Sequence, residues 1–161
     1  MPNVRKIEQE RGAAAVEFAI VLPLLFAIII GIVEISLIMF DKTQITTAGR
    51  NGARLGTMWR PTSRPTCDEI NTSAVQGFRT NLIYFGNPAA KTITTTCFSD
   101  GAAVAGATPI CTQDGHEALL VRTRFTYRFL VDPIRLLNLL TGGHSTLATL
   151  TLTSETIMRC E

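Results

Sequence analysis

The chain has 161 residues, enough for one modest domain with its own core. Its formal net charge is +2 and no basic run dominates, which argues against a nucleic-acid-binding surface. Hydrophobic residues make up 46% of the chain and charged residues only 17%, and much of the apolar excess lies between residues 13 and 40.

The first element is an apolar segment that follows a short charged leader. The uncharged stretch 18–33 has 16 residues, slightly under the roughly 20 that a helix needs to cross the hydrocarbon of a bilayer. Residues 13–40 extend this apolar stretch at both ends, with Glu17 and Glu34 set inside it, and they exceed the core of a cleaved signal peptide. We therefore predict a cytoplasmic leader at 1–12, a transmembrane helix at 13–40 and an extracytoplasmic domain at 41–161. All four cysteines lie in the last part, and disulfides need an oxidising space.

Glu17 is the most unusual residue of the segment, because a carboxylate at the edge of hydrocarbon costs a few kcal/mol unless it is paired, protonated or able to snorkel. If an enzyme cuts after Gly12, the new amino group of Ala13 on a neighbouring copy can neutralise Glu17 and set the stagger of subunits. The alternative is a helix-start anion at the headgroup level. Pro23 and Gly31 predict a kink or a soft point in the span, although membrane helices tolerate both residues.

Residues 41–58 lack proline and are predicted to continue the helix beyond the membrane. They contain four small residues, and the spacing of two of them permits close helix contact. Because each glycine costs about 1 kcal/mol in an exposed helix, this part must pack closely, either against the domain's own sheet or against a neighbouring subunit. The helix-packing residues are Gly49, Gly52, Ala53 and Gly56.

A second helix is predicted from Thr66, which has capping-box spacing to Glu69. An apolar stripe with fourfold spacing follows from Ile70 to Leu82, and Gly86 is the predicted stop. Three strands are predicted at 93–98, 119–131 and 147–158, from β-rich composition and alternation. The predicted fold class is α+β, with the strands in an antiparallel meander against the helices.

The four cysteines predict two disulfides, since none of their spacings suits a zinc site or a redox motif. The ends of the first two strands lie close in a meander, so the favoured pairs are Cys97 with Cys111 and, by elimination, Cys67 with Cys160. Residues 133–140 are rich in leucine and predict a short helix capped by Asp132. Its apolar face completes the core, or, if exposed, forms a partner surface or a dip into the membrane.

No catalytic constellation is apparent. His116 and His144 are the only histidines and have no metal-ligand spacing, and neither a nucleophile elbow nor a phosphate-binding loop is present. We therefore expect no enzymatic activity, no metal and no cofactor.

The stretch from Arg11 to Pro23, with Gly12 before four small or apolar residues and then Glu17, resembles the processing site of type IV-like pilins of the Flp/Tad class. It is also similar to the opening of the TadE/TadG-like pseudopilins, and residues 31–34, 48–54 and 158–161 fit the same family. The resemblance implies a pilin-like fold, and cleavage by a prepilin peptidase between Gly12 and Ala13, with Glu17 as the fifth residue of the mature chain.

The resemblance leads us to expect a minor pilin or pseudopilin that assembles or primes a Tad-type pilus. It would be held in the bacterial inner membrane with its C-terminal domain in the periplasm, and would enter an extracellular pilus. The expected partners are prepilin peptidase, other pilin or pseudopilin subunits, the inner-membrane assembly platform and membrane lipid, but no nucleic acid. The alternative is an unprocessed single-span anchor that carries an extracytoplasmic binding domain.

Overall fold

One helix dominates the fold. The computed structural model describes residues 4–58, 60, 63–87, 91–112, 117–135, 138, 142–144 and 146–160, with residues 4–13 described by their backbone alone. Helix α1 spans Val4–Thr57 and passes through Pro23. Its 54 residues extend about 80 Å at a rise of 1.5 Å per residue. The prediction that one helix continues from the apolar segment into the domain is confirmed.

The second helical segment begins where the capping signal predicts, but it is irregular. It consists of α2 (Cys67–Glu69), a π-helical turn (Ile70–Val75) and a 3₁₀ turn (Gln76–Asn81), and the hydroxyl of Thr66 accepts the backbone N–H of Glu69 at 3.2 Å. Because a π-helical turn places residues five apart on one face, Val75 is buried together with Ile70. Of the predicted fourfold stripe, Ile70 and Leu82 are buried and Phe78 packs against the core. The segment ends at Asn81, before the predicted stop.

The sheet is antiparallel and has four strands, one more than the three predicted. Its strands are β1 (Ile93–Ser99), β2 (Ala102–Ala103), β3 (Ala118–Arg128) and β4 (Thr149–Arg159), in the spatial order β2-β1-β3-β4. The predicted meander of the three long strands is confirmed, and so is the α+β class. The extra strand arises because Asp100 and Gly101 both adopt positive φ, at 49° and 84°. Two such residues form a tight hairpin turn of the mirror-image type.

This hairpin redirects the chain, and the predicted disulfide pairing is therefore wrong. The disulfides join Cys67 to Cys97 and Cys111 to Cys160, with Cα–Cα distances of 5.9 and 5.4 Å. After β2 the chain returns to the start of α2, where the N–H of Asp68 donates to the carbonyl of Gly106 at 2.9 Å. Cys111 thus lies away from β1 and meets the end of β4.

Helix α1 lies directly on the inner face of the sheet because its small residues allow close approach. A Cβ built on Gly56 would overlap Leu119 Cδ2 and lie 2.7 Å from Ile70 Cδ1, and one on Gly52 would lie 2.9 Å from Ile70 Cγ2. Gly49 is less confined, and Ala53 is fully buried. The sequence left two packing surfaces open for these four residues, the domain's own sheet and a neighbouring subunit. In the structure they face the domain's own core.

The leucine-rich segment is only partly described. Asp132 Oδ1 accepts the backbone N–H groups of Ile134 at 3.0 Å and Arg135 at 3.3 Å, and residues 133–135 are helical. The predicted cap is therefore present. The leucines at 136, 137, 139 and 140, on which the prediction for this segment depends, lie outside the described residues.

The close approach of α1 to the sheet can be tested with Gly56→Ala. The methyl group gains about 1 kcal/mol of helix propensity, but overpacking a full core costs about 1–3 kcal/mol. We expect a lower midpoint of thermal unfolding for the detergent-solubilised monomer, followed by near-UV circular dichroism. Gly77→Ala is the matched control, since a Cβ there meets nothing within 4 Å. If Gly56→Ala is as stable as wild type, the Gly56 face of α1 does not pack closely against the sheet of its own chain.

Candidate functional site

The predicted cleavage bond lies on the regular backbone of α1. Gly12 and Ala13 are both within the helix, and the side chains are described from Ala14 onward. The structure therefore places the junction on the same helix as Glu17, Pro23 and Gly31. A Cβ on Gly31 would meet nothing within 4 Å. The kink at Pro23 and Gly31 stays a prediction.

Glu17 is exposed and borders a shallow groove together with Ala14, Phe18 and Val21. It has no hydrogen-bond or ion-pair partner among the described side chains. The apolar residues around it are exposed too: Val16 is 62% and Phe18 63% accessible. A carboxylate in such surroundings is stabilised only if a second molecule supplies a cation or if it reaches the aqueous boundary.

Two further carboxylates on α1 do have partners within the chain. Glu34, only 7% exposed, accepts the hydroxyl of Tyr127 at 2.8 Å and the backbone N–H of Leu130 at 3.0 Å, both on Oε1. Its Oε2 is buried and has no partner within the described part of the chain. The contact ties the helix to the end of β3, and burial beside Glu34 raises the pKa of the Tyr127 hydroxyl far above its usual range.

Asp41 makes the second of these contacts, two helical turns further along. It is fully buried, and its Oδ1 accepts the backbone N–H of Ile83 at 2.8 Å, just after the second helical segment. Desolvation raises the pKa of the Asp41 carboxyl, although the Ile83 N–H and the nearby charge of Lys91 act in the opposite direction. Burial also lowers the pKa of the Lys91 ammonium.

The sequence analysis missed the roles of Glu34 and Asp41. Their spacing of seven residues continues to Ala48, so the two acids share a helix face with the small residues that pack on the sheet. This shared helix face was a usable sequence signal for buried polar contacts, since acids on the packed face of an apolar helix need polar partners in the rest of the chain. The identity of the partners was not predictable, because Tyr127 is 93 residues from Glu34.

The exposed part of α1 has the length of a membrane span. Among the described side chains, those of residues 14–33 are exposed or half-buried, and Glu34 is the first buried one. This stretch is about as long as the roughly 20 residues that cross the hydrocarbon. By length and composition, α1 is the described helix that could cross a membrane, and its apolar part is left almost entirely uncovered by the domain. The helix thus indicates membrane anchoring.

Comparison with known proteins identifies this same part of the chain. A family model described as TadE-like protein matches residues 12–54. The chain contains a TadE-like segment. The match covers under a third of the chain and ends within α1, before the sheet begins. No curated protein and no solved structure matches the chain.

The TadE-like match confirms the resemblance predicted from the residues after Arg11, and it indicates a pilin-like protein associated with Tad pili. The matched residues lie on α1, the helix that carries Gly12, Glu17, Glu34 and Asp41. Within the described residues, no group of three histidine, cysteine, aspartate or glutamate side chains could hold a metal ion.

The Glu34 contact can be tested with Tyr127→Phe. Removing the hydroxyl leaves Oε1 of the buried carboxylate with only the Leu130 N–H, and we expect the free energy of unfolding to fall by about 1–3 kcal/mol. Chemical unfolding of the detergent-solubilised protein measures this. Tyr84→Phe is the matched control, because the Tyr84 ring packs on Phe125 but its hydroxyl has no partner among the described residues. Equal effects of the two variants would contradict a specific role for the Glu34 bond.

The raised pKa of Asp41 predicts a pH dependence of stability. The folded state binds a proton at Asp41 more tightly than the unfolded chain, whose aspartate pKa is about 3.9. Stability contributed by this group is therefore present at low pH and is lost as the pH rises from about 4 through the raised folded value. We expect Asp41→Asn not to lose this stability, because it has no carboxyl group to ionise. The stability of Asp41→Asn relative to wild type should therefore increase as the pH rises through that window. Unfolding midpoints of both proteins from pH 3 to 8 measure it, and a constant difference would contradict the assignment.

Proposed function

We propose that this protein is a minor pilin or pseudopilin that takes part in assembling or priming a Tad-type pilus, after prepilin peptidase has cut the chain between Gly12 and Ala13. The observation that carries the proposal is the TadE-like match over a long apolar helix whose Glu17 has no partner among the described side chains. The role is mechanical assembly and requires no catalysis.

Glu17 would set the register of the helices. Cleavage after Gly12 liberates the α-amino group of Ala13, one helical turn before Glu17. The ammonium group of one copy can pair with the Glu17 carboxylate of its neighbour in a low-dielectric surrounding, which offsets the few kcal/mol that an unpaired carboxylate costs there. The pair forms only at the correct stagger, so a misplaced subunit leaves both charges unsatisfied.

The rest of the chain would form the domain that a minor subunit presents. The four-stranded sheet and the second helical segment add far more bulk than a helix-only subunit has, which fits a priming or capping position. The two disulfides, which join cysteines 30 and 49 positions apart in sequence, suit an oxidising compartment such as the periplasm. Its partners would then be prepilin peptidase, other pilin-like subunits, the inner-membrane assembly platform and lipid.

Intact-mass spectrometry of the membrane-extracted protein tests the cleavage. We expect the mass of a chain that begins at Ala13 in cells with the peptidase, and the mass of the full precursor in cells without it. Gly12→Leu should block the cut, because the bulky side chain changes the residue before the broken bond, whereas Arg11→Lys should not. An N-terminus that remains at Met1 in the native host would contradict the proposal and favour an unprocessed anchor with a binding domain.

Glu17→Ala tests the register role. We expect this variant to be exported and processed but absent from sheared pili, since the liberated amine of the adjacent copy has lost its counter-charge. Glu17→Asp keeps the charge and should be incorporated in part, and Glu17→Gln should behave like the alanine variant. Immunoblots of the membrane and sheared fractions measure the ratio. Normal incorporation of Glu17→Ala would rule out the pairing.

A further inference from the structure

The contacts along α1 show which end of the sheet faces the membrane. Gly56 packs on Leu119, the carbonyl of Ile45 accepts the Thr123 hydroxyl at 3.1 Å, and Glu34 binds Tyr127. Strand β3 therefore runs back along the helix towards its exposed apolar part. Strand β4 pairs with β3 antiparallel, with Tyr127 opposite Leu150, so its beginning lies at the same end.

This end of the domain carries exposed leucines. The side chains are 53% accessible at Leu130, 41% at Leu147 and 38% at Leu150, and we call these three residues the leucine rim. Along the outer face of the sheet away from the rim, alternate residues of β3 and β4 are mainly arginine and threonine. Ile157, near the far end of β4, is also exposed. Single exposed apolar residues are normal on a protein surface, whereas a group of large ones at one place marks a surface that another molecule covers.

The position of Glu34 puts the rim at the depth of the membrane boundary. A span of about 20 residues ends at residue 33 if it covers the exposed stretch 14–33, and near Leu37 if it begins at Phe18, directly after Glu17. Either boundary lies within about one helical turn of Glu34, whose side chain accepts the backbone N–H of Leu130 in the rim. The helix surface at this level is also apolar and uncovered, with Ile35 59% and Met39 61% accessible.

Two arginines flank the rim. Arg128 and Arg135 line a cleft of about 440 Å³ that also contains Leu130 and Asp132, and both arginines are exposed. The carboxylate of Asp132 is occupied within the chain, since its oxygens accept the N–H groups of Ile134, Arg135 and, at 3.1 Å, Leu147. Asp132 thus links residues 134–135, which follow β3, to Leu147, which precedes β4.

Guanidinium groups bind phosphate oxygens in charge-assisted pairs, and basic residues at a membrane surface each gain about 1 kcal/mol from anionic lipid. Arginines beside apolar side chains at the boundary therefore match the chemistry of a phospholipid, whose phosphate lies just outside its acyl chains.

We propose that the leucine rim is seated in the bilayer leaflet next to the domain, with Arg128 and Arg135 bound to the phosphate groups of anionic phospholipids. The proposal rests on the membrane anchoring of α1 and goes beyond the assembly role. The seated rim fixes the depth and the rotation of the domain beside its own helix, so that the subunit is held against the bilayer at two places.

Depth-dependent fluorescence quenching tests the seating in the full chain reconstituted into vesicles of phosphatidylcholine and phosphatidylglycerol. Trp59 is the one tryptophan and is first replaced by phenylalanine. Single tryptophans are then introduced as Leu147→Trp in the rim, Leu24→Trp in the span and Ile157→Trp near the far end of β4, where the native residue is 65% exposed. The quencher is lipid brominated on the upper part of its acyl chains.

We expect quenching of Leu147→Trp and Leu24→Trp, and little quenching of Ile157→Trp. Quenching of Leu24→Trp alone would overturn the seating while leaving the anchor intact. If Leu24→Trp is not quenched either, the anchoring itself fails, which separates the two proposals. Disulfide content and near-UV circular dichroism verify that each variant is folded.

The arginine contribution has its own readout. In the Leu147→Trp background, Arg128→Gln with Arg135→Gln should reduce quenching by about twofold or more in vesicles containing phosphatidylglycerol. The matched control is Arg50→Gln with Arg54→Gln, two exposed arginines on α1 far from the rim, which should change nothing. Unchanged quenching in the rim variant would overturn the phosphate contacts.

Discussion

The whole structure depends on the close packing of one helix against one sheet. Because Gly52 and Gly56 present no side chain, α1 approaches β3 closely enough for Ile70 and Leu119 to fill the space between the layers. This packing fixes the strand direction relative to the helix. It thereby fixes which strand ends lie beside the apolar part of α1, and it brings Glu34 and Asp41 to partners far away in sequence.

Among its described side chains, α1 carries three carboxylates, Glu17, Glu34 and Asp41, and they differ in the partners that satisfy them. Glu34 and Asp41 are buried and accept hydrogen bonds from the domain, so they hold the fold together. Glu17 lies beyond the reach of the domain and has no partner among the described side chains. The domain thus supplies donors to one oxygen of each of the two buried acids, while Glu34 Oε2 and Asp41 Oδ2 have no partner in the described part of the chain. To Glu17 the described part of the domain supplies none. This division follows the point at which the helix leaves the sheet.

Local signals in the sequence predicted most of the elements. Alternation located the three long strands, and the spacing of Thr66 and Glu69 located the start of the second helical segment. The Asp100-Gly101 turn was overlooked although this dipeptide favours a tight hairpin, and that omission led to the wrong disulfide pairs. The Glu34–Tyr127 bond was beyond reach for a different reason. It depends on how the helix is placed over the sheet, which no local pattern records.

In the assembly we propose, the subunit leaves the bilayer, and its exposed helix and its domain then require different replacements for the lipid. Neighbouring helices can replace lipid around residues 14–33. Because apolar contacts are non-directional, apolar side chains and lipid tails can cover this stretch equally well. The acids at Glu34 and Asp41 keep their internal partners throughout, so their burial adds no new cost to the transfer. Glu17 and the leucine rim differ from these acids. On transfer, the charged groups around Glu17 change, and the leucine rim loses its contact with lipid tails and needs another apolar surface. In the assembly we propose, the free energy of transfer from membrane to filament is therefore concentrated at the two ends of the span.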